Sequence, residues 1–449
     1  MKHLFSRLSP AQKIILSFLL VIFCGSLLLS LPWVQTESSQ AGYLDHLFTA
    51  VSMVCVTGLF TRSVVDTYNV WGQLLCMLLI QIGGLGILTF IGFFTMESRK
   101  KLSLKDRSIL RDSFSYGHNR TLGQFVRSIF ITTFTIEGLG ALLLMIRFIP
   151  KFGLRKGIFN SIFLAVSAFC NAGFDNFGND SLLGLQTDVL VNITLALLII
   201  TGGLGFMVWF DLATKLGGKQ KGLHFHTKVV LLLTAGLLVF GTVTSLWTEY
   251  NNPGTIGNLS FGDKLLVSFF QTVSMRTAGF ASIDYTAARP VTLFIYLLQM
   301  FLGGAPGGTA GGLKITTFLV LLLFARKEIL GLPHTNMGRR TLAPQLVQKA
   351  FGVTVIFQLT FLLGLLALGL VTDSSHRFIY LIFETVSALA TVGVTANITT
   401  SLNTAGMIVI MLLMFIGRVG PLTLMVSLNH YQPKKAATLH YSKADIMIG

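Results

Sequence analysis

The sequence predicts an all-α integral membrane protein, with eight transmembrane helices and four re-entrant loops arranged in fourfold pseudosymmetric helix-loop-helix repeats. Three observations predict this fold class: the composition, the number of long apolar segments and an internal repeat. Hydrophobic residues make up 52% of the 449 residues and charged residues 12%, and the mean hydropathy is +0.72. This balance excludes an ordinary soluble globular protein and favours a chain embedded in the lipid bilayer.

Eight segments are long enough to cross the roughly 30 Å hydrocarbon layer of a membrane. Three of them contain ionisable residues: 128–149 with Glu137 and Arg147, 291–325 with Lys314, and 402–426 with Arg418. The other five carry no charge and comprise residues 14–33, 70–96, 189–210, 229–247 and 350–371.

The charges predict the orientation. An even number of spans places both termini on one side, and the segments on that side hold 23 of the 34 lysines and arginines. The opposite connections hold 8, and 3 lie within the spans. Because positive residues accumulate in cytoplasmic loops, we expect both termini in the cytoplasm of a multi-pass cell-membrane protein. The net charge of +16 therefore reflects topology, and no nucleic-acid partner is predicted.

A Val-Ser pair followed by a glycine recurs four times between paired spans. It starts seven residues before the glycine in three copies and six residues before it in the third copy. Successive glycines lie 115, 106 and 114 residues apart. The four glycines are Gly58, Gly173, Gly279 and Gly393.

A second glycine landmark follows in each copy, 25, 29, 24 and 24 residues beyond the first. Its first residues are Gly83, Gly202, Gly303 and Gly417. At Gly83, Gly84, Gly202 and Gly203 the small residues favour tight helix packing. Two landmarks in nearly constant register indicate a repeated unit of span, re-entrant loop and span.

The apolar stretch before each repeat glycine, such as 43–54 or 378–390, is too short to cross a membrane and predicts a half-helix. The negative end of its dipole would face the membrane centre and favour a cation there. A glycine allows the backbone carbonyl groups to turn inward, and a ring of carbonyl oxygens replaces the hydration shell of potassium. The segments carry no carboxylate at or just before the glycine, so a charged filter of the divalent-cation type is not expected.

The repeats give the predicted organisation of the chain. Their bounds are 12–98 with a pore loop at 43–59, 126–214 with a pore loop at 158–174, 227–327 with a pore loop at 263–280, and 347–430 with a pore loop at 377–394. Residues 431–449 are expected to form a cytoplasmic C-terminal tail.

The chain resembles the Ktr/Trk/HKT superfamily of potassium transporters, and within it the bacterial Ktr membrane subunit of the KtrB or KtrD type. The resemblance covers about residues 10–430. Its most specific motifs are Val56-Thr-Gly-Leu59, Asn171-Ala-Gly-Phe174, Arg276-Thr-Ala-Gly-Phe280, Thr391-Val-Gly-Val394, the glycine-rich stretch 303–312 and Gly417-Arg-Val-Gly-Pro421.

The resemblance implies one potassium selectivity filter per chain, built by the four loops. In plant relatives a serine at the first filter glycine accompanies sodium selectivity, so Gly58 fits the potassium type. The implied ion-binding residues are Val56, Thr57, Gly58, Asn171, Ala172, Gly173, Thr277, Ala278, Gly279, Thr391, Val392 and Gly393.

The third repeat interrupts its second helix with six glycines and one proline in ten residues. Inside a helix each glycine costs about 1 kcal/mol and the proline about 3 kcal/mol, so an irregular loop is expected. The resemblance makes this loop a gate below the filter, and tight packing is the alternative. The implied gate residues are Gly303, Gly304, Ala305, Pro306, Gly307, Gly308, Thr309, Ala310, Gly311, Gly312 and Arg418.

Arg418 is placed about mid-way in the last span, where a lone arginine costs about 2.5–3.5 kcal/mol on insertion scales. It should therefore face the pore or a partner group. The resemblance places a basic residue beneath the filter, as an electrostatic barrier or a tether for the gate loop, and a purely structural bond to loop carbonyls is the alternative. Lys314 is expected to be a snorkelling or cytoplasmic-end charge.

The resemblance also implies a homodimer and a cytoplasmic ring of nucleotide-binding regulatory subunits of the KtrA or KtrC type. No cofactor is predicted in the chain itself: potassium is the transported ion, sodium a candidate activator, and nucleotide is expected only on the partner. A sodium-permeable or sodium-coupled transporter of the same fold remains the alternative. An intramembrane enzyme is not predicted, because no cluster of His, Asp and Glu residues falls within the spans.

Overall fold

A computed structural model describes residues 10–86, 122–178, 181–218, 220, 222–372 and 377–420. The predicted tail 431–449 and the part of the first repeat beyond residue 86 lie outside these residues. The first repeat contains α1 (Pro10–Leu29), α2 (Tyr43–Val54), α3 (Val64–Thr67) and α4 (Val70–Leu85). The second contains α5 (Leu122–Phe152), α6 (Leu154–Phe169), α7 (Val189–Gly203) and α8 (Phe206–Leu216).

The third repeat contains α9 (Phe225–Glu249), α10 (Phe261–Ser274), α11 (Pro290–Phe301) and α12 (Ile315–Ile329). A two-stranded antiparallel hairpin follows, with β1 (Asn336–Met337) paired to β2 (Arg340–Thr341). The fourth repeat contains α13 (Pro344–Val371), α14 (Phe378–Leu389) and α15 (Thr404–Val419). Short 3-10 turns form at Pro32–Val34, Leu183–Leu185 and Thr399–Ser401.

The first helix of every repeat is a long apolar helix. Among the described residues, four helices are long and apolar enough to cross a membrane: Ala11–Leu29, Val126–Phe152, Phe225–Glu249 and Pro344–Val371. Large apolar side chains on them are exposed, such as Leu142, Val239 and Leu366. Because a lipid tail is as apolar as these side chains, such exposure is the expected state of a lipid-facing helix.

The half-helices α2, α6, α10 and α14 form the buried centre of the molecule. Every residue from Phe48 to Val54 in α2 is buried, and so is every residue from Phe383 to Leu389 in α14. Each half-helix packs against the long first helix of its own repeat. Each also packs against the second helix of the preceding repeat, α4 on α6, α7 on α10 and α11 on α14, and α15 packs on α2. These contacts close the four repeats into a ring.

The second helix of each repeat ends at or next to the second glycine landmark. Gly86, Gly205 and Gly420 follow the ends of α4, α7 and α15, with φ angles of 82°, 88° and 90°. A positive φ ends an α-helix and is adopted readily only by glycine. The predicted span over 189–210 is not one straight helix, because α7 and α8 meet at a 98° bend. For 70–96 and 402–426, the remainder of each predicted span lies outside the described residues.

The first glycine of the landmark packs a helix against the end of a half-helix. A methyl group on Gly83 would lie 2.3 Å from the carbonyl oxygen of Val54, and one on Gly202 would lie 1.9 Å from that of Phe169. In the fourth repeat, a methyl group on Gly417 would lie 1.9 Å from the Leu389 oxygen. The tight packing predicted for Gly83 and Gly202 is therefore present, and it fixes where each half-helix stops.

Candidate functional site

Four short stretches of backbone after the half-helices have the same conformation. We call them the convergent segments: residues 56–58, 171–173, 277–279 and 391–393. In each one, the first residue and the glycine both have a positive φ. The first residues are Val56 (56°), Asn171 (58°), Thr277 (66°) and Thr391 (51°), and the glycines are Gly58 (101°), Gly173 (70°), Gly279 (84°) and Gly393 (95°).

The glycines of the four segments meet. A methyl group built on Gly58 would lie 3.1 Å from the Cα atom of Gly173 and 3.3 Å from that of Gly393. One built on Gly279 would lie 2.8 Å from the Cα atom of Gly173. Residues more than 300 positions apart in the chain therefore share one small volume, which leaves no room for any larger residue.

The carbonyl groups just before these glycines follow one another around the same volume. The carbonyl oxygen of Ala172 lies 2.8 Å from a methyl position on Gly58, and the oxygen of Ala278 lies at the same distance from one on Gly173. The carbonyl oxygen of Val392 lies 2.9 Å from a methyl position on Gly279, and the oxygen of Thr57 lies 1.9 Å from a methyl position on Gly393. Each segment thus places a carbonyl oxygen against the repeat glycine of its neighbour, in cyclic order. We call these four carbonyl groups the ring.

Eight of the twelve predicted ion-binding residues, namely the repeat glycines and the residues just before them, are thus brought together, and the other four directly precede them in the chain. The twelve residues are uncharged, and the backbone oxygens that lie next to the repeat glycines belong to carbonyl groups. A ring of carbonyl oxygens can coordinate a monovalent cation in place of water.

Residues that follow the segments line a cavity of about 720 Å³. Gly58 and Gly393 are part of its lining, together with Asp45, Asp66 and Arg62. The convergent segments of the first and fourth repeats therefore border this cavity.

The glycine loop, residues 303–312, lies against the other end of the segments. The Gly311 N–H donates to Thr277 Oγ1 at 3.2 Å, and the Thr309 hydroxyl donates to the Phe169 carbonyl oxygen at 3.1 Å. A methyl group on Gly311 would lie 1.9 Å from Thr391 Oγ1. The loop thus contacts three of the four repeats where their half-helices end.

The break of the second repeat holds the glycine loop in place. The N–H groups of Ala305 and Thr309 donate to the carbonyl oxygens of Gly203 at 2.9 Å and Gly202 at 3.2 Å. In return, the Phe206 N–H donates to the Gly307 oxygen at 3.0 Å. An irregular loop is tolerated inside an apolar protein when its backbone groups find partners in this way.

Two cationic side chains bind three consecutive carbonyl groups of the loop. Arg418 donates to the Thr309 oxygen, and Lys314 Nζ donates to Ala310 at 2.6 Å and to Gly311 at 3.4 Å. Lys314 was expected to be a snorkelling or cytoplasmic-end charge. This expectation was wrong, because the loop offers the amine carbonyl oxygens within a few residues.

Arg418 also joins the loop to the first repeat. Its guanidinium donates to the carbonyl oxygens of Gly83 and Gly84, the latter at 3.2 Å. These carbonyls come from the last turn of α4, where helical carbonyl groups lack a partner of their own. Arg418 is the second-last residue of α15.

Two other ionisable residues of the predicted spans, Arg147 and Glu137, have partners that could not be identified from the sequence. Arg147 forms an ion pair with Asp188, 41 residues away. Glu137 accepts a hydrogen bond from Gln81 at 3.3 Å. The two are thus not paired with each other, and no spacing in the sequence signals either partner.

The serine of each Val-Ser pair is a site residue that the sequence analysis used only to mark the repeat. All four serines, Ser52, Ser167, Ser274 and Ser387, are fully buried and bond to the backbone within or next to a convergent segment.

The chain is similar to known cation transport proteins. The family model described as TrkH, cation transport protein, matches residues 7–438. The Ktr system potassium uptake protein B of Bacillus subtilis is 38% identical over 446 residues, 99% of this chain and 97% of its own length. The potassium/sodium uptake protein NtpJ of Enterococcus hirae is 39% identical over 453 residues, 100% of this chain and 99% of its own length.

A solved structure shares the fold. The crystal structure of the potassium transporter TrkH from Vibrio parahaemolyticus superposes with a TM-score of 0.74 at 17% identity, over 93% of this chain and 84% of that one. All these relatives are transporters, a non-enzymatic class, which agrees with the prediction that the chain is not an enzyme. The Ktr/Trk resemblance is confirmed: the chain belongs to the TrkH family of cation transport proteins.

Proposed function

We propose that the chain is the pore-forming membrane subunit of a potassium uptake system and that potassium crosses through the ring of the four convergent segments. The observation that carries this proposal is the cyclic order of the carbonyl oxygens of Thr57, Ala172, Ala278 and Val392. Four carbonyl oxygens around one axis offer a dehydrated potassium ion neutral oxygen ligands, the chemistry of a potassium filter. The B. subtilis relative is named as a potassium uptake protein.

The membrane arrangement we propose is eight spans with four re-entrant pore loops, in the four repeats given above. The closed ring of helix contacts supports it, and so does the recurrence of a long apolar helix followed by a buried half-helix. The charge distribution supports cytoplasmic termini. In this orientation the polar cavity beside Gly58 and Gly393 faces outside, and the glycine loop lies on the cytoplasmic side of the ring.

The glycine loop is the gate in this proposal. It lies directly against the inner ends of the convergent segments, where an ion leaving the ring must pass. Arg418 and Lys314 hold three of its carbonyl groups, so the closed position is stabilised by hydrogen bonds from charged donors, which are stronger than neutral ones. Their charges also oppose a passing cation.

Opening needs a force from outside the loop. We propose that a cytoplasmic ring of nucleotide-binding regulatory subunits supplies it, acting on a homodimer of this chain. The support is the resemblance to the Ktr membrane subunit, together with the B. subtilis relative named for a Ktr system. The helix α12 follows the loop directly, so a partner that moves α12 would move the loop.

Sodium is the second candidate ion. The E. hirae relative is named as a potassium/sodium uptake protein, and it is as similar to this chain as the potassium relative is. In this alternative, sodium crosses the same ring or is coupled to potassium transport.

Uptake measurements in a bacterium that lacks its own potassium uptake systems test the proposal. The chain should restore growth at limiting potassium, and initial rates should favour potassium over sodium. Rates that are equal for both ions, or that rise only with sodium, would support the alternative. A chain that reaches the membrane and moves neither ion, alone or with its cytoplasmic partner, would contradict both.

A further inference from the structure

The serine of each Val-Ser pair makes a main-chain contact that recurs in all four repeats. Its carbonyl group accepts the N–H group of the residue just before the repeat glycine, beyond the end of the half-helix. The distances are 2.8 Å from Thr57 to Ser52, 2.8 Å from Ala172 to Ser167, 2.9 Å from Ala278 to Ser274 and 2.7 Å from Val392 to Ser387.

The serine hydroxyl makes a second contact, and here the repeats differ. Ser52 Oγ accepts from the Gly58 N–H at 3.2 Å, and Ser387 Oγ accepts from the Gly393 N–H at 3.0 Å. In the second repeat Ser167 Oγ accepts from the N–H of Phe174, one residue further on, at 2.9 Å. In the third repeat Ser274 instead donates to the Phe280 carbonyl oxygen, at 2.5 Å.

These bonds hold a backbone that is otherwise unfavourable. Val56, Thr277 and Thr391 are β-branched residues with φ between 51° and 66°, a conformation in which such residues are outliers. Strained backbone of this kind persists only where the surroundings fix it, and it is concentrated at functional sites. The serine fixes the peptide groups that follow the strained residue.

The geometry of the peptide group connects the hydroxyl to the ring. The Gly58 N–H belongs to the same planar trans peptide as the Thr57 carbonyl group, and the Gly393 N–H to the same peptide as the Val392 carbonyl group. An N–H anchored to the half-helix therefore points its carbonyl oxygen the opposite way, toward the ring. Ser167 anchors the next peptide instead, that of Gly173, and Ser274 anchors a peptide further out.

We propose that Ser52 and Ser387 are positioning residues that set the ion selectivity of the ring by orienting the Thr57 and Val392 carbonyl groups. Ser167 orients the Gly173 carbonyl group in the same way, and Ser274 only shapes the exit from the third segment. The proposal rests on the proposed function of the convergent segments as a potassium filter.

Serine-to-alanine substitutions test the proposal by a ranking. Ser52→Ala and Ser387→Ala each leave a buried N–H without its acceptor, so the carbonyl in the ring can rotate. We expect each to lower the preference for potassium over sodium by about fivefold, the effect of one lost hydrogen bond. Ser274→Ala removes a hydrogen-bond donor to the Phe280 carbonyl group. A buried carbonyl oxygen tolerates a lost hydrogen bond better than a buried N–H group does, so this variant should change the preference by less than about twofold.

Thr385→Val is the matched control. Thr385 lies in α14, two residues before Ser387, and is as fully buried, but its hydroxyl donates only to the Leu381 carbonyl of its own helix, at 2.7 Å. This variant should keep the wild-type preference. Potassium and sodium uptake are measured together with membrane abundance, because a loss of folding alone changes the amount of protein and leaves the ratio of the two rates unchanged.

A wild-type preference for potassium in well-inserted Ser52→Ala and Ser387→Ala would overturn the proposal. A loss of preference of the same size in all four variants, including Ser274→Ala and Thr385→Val, would also overturn it. If alanine at 387 prevents insertion, Ser387→Cys carries the same test, since it keeps a weaker acceptor and should give a smaller loss. A wild-type chain without preference for potassium would refute the proposed function and this inference with it. A selective wild type with unaffected serine variants would refute the inference alone.

Discussion

The guanidinium of Arg418 donates a hydrogen bond to the carbonyl oxygen of Thr309, which lies 109 residues earlier in the chain. The same guanidinium donates to the carbonyl groups that end α4. One side chain thus joins the glycine loop of the third repeat to helices of the first and fourth repeats. The glycine loop is thus held by a residue that is far away in the sequence. A change at Arg418 should alter transport more than it alters the fold.

We expect Arg418→Gln to raise potassium flux. Glutamine can still donate a hydrogen bond to a loop carbonyl, but it no longer repels a cation below the ring. The expected increase is about threefold to tenfold, the effect of roughly 0.7–1.4 kcal/mol on a barrier. Initial uptake rates, normalised to the amount of protein in the membrane, measure it. An unchanged rate would place the charge outside the ion path.

We expect deletion of Gly304 to Gly311 to produce a more active and less regulated transporter. The deletion removes the Gly311 N–H that donates to Thr277 and the Thr309 hydroxyl that donates to Phe169. The four convergent segments remain intact. Potassium flux should rise well above the wild-type rate without the cytoplasmic partner, and the preference for potassium should largely persist. If the loop is only a packing element, the deleted chain should be poorly inserted and inactive, so uptake and abundance are measured together.

We expect Gly417→Ala to lower the amount of folded protein in the membrane. The added methyl group would lie 1.9 Å from the Leu389 carbonyl oxygen, so the backbone at the end of α14 must shift. Overpacking of this kind costs about 1–3 kcal/mol of stability. Gly369→Ala is the control, because a methyl group there has nothing within 4 Å. Thermal stability in detergent should fall for the first variant only.

We expect Gly58→Ser to weaken discrimination between potassium and sodium. Gly58 has a φ of 101°, and its added side chain would lie 2.8 Å from the Ala172 carbonyl oxygen in the ring. Gly178→Ser is the matched control: Gly178 has a similar φ of 93°, but a side chain there has nothing within 4 Å. Uptake of each ion in the presence of the other measures the effect. If the two variants behave alike, backbone strain and not the ring accounts for the change.

The repeated parts of the site could be predicted from the sequence, because each of their motifs occurs four times in the chain. The Val-Ser pair and the repeat glycine lie a few residues apart, and glycine has few substitutes at a positive φ. The fold class followed from apolar length and from the same repetition. The repetition thus predicted that Gly58, Gly173, Gly279 and Gly393 occupy equivalent positions, and the resemblance to the Ktr/Trk/HKT superfamily implied that they belong to one site.

The unrepeated contacts could not be predicted. The partners of Arg418 and of Arg147 lie 109 and 41 residues away, and no local pattern marks them. Val56 and Thr391 have a left-handed backbone, which β-branched residues rarely adopt. Their residue types would therefore predict a different backbone conformation. The bend after α7 was missed because apolar composition continues through Gly205 while the helix does not.

The most direct test of the proposed filter is to locate the ion. Rubidium can replace potassium and gives an anomalous diffraction signal, so crystals of the full chain grown in rubidium would show where the ion binds, once rubidium uptake is established. We predict a peak enclosed by the carbonyl oxygens of Thr57, Ala172, Ala278 and Val392, and its loss or displacement in Gly58→Ser. A chain that transports rubidium but shows no peak in this ring, or a peak only elsewhere, would contradict the proposal that the four convergent segments form the filter.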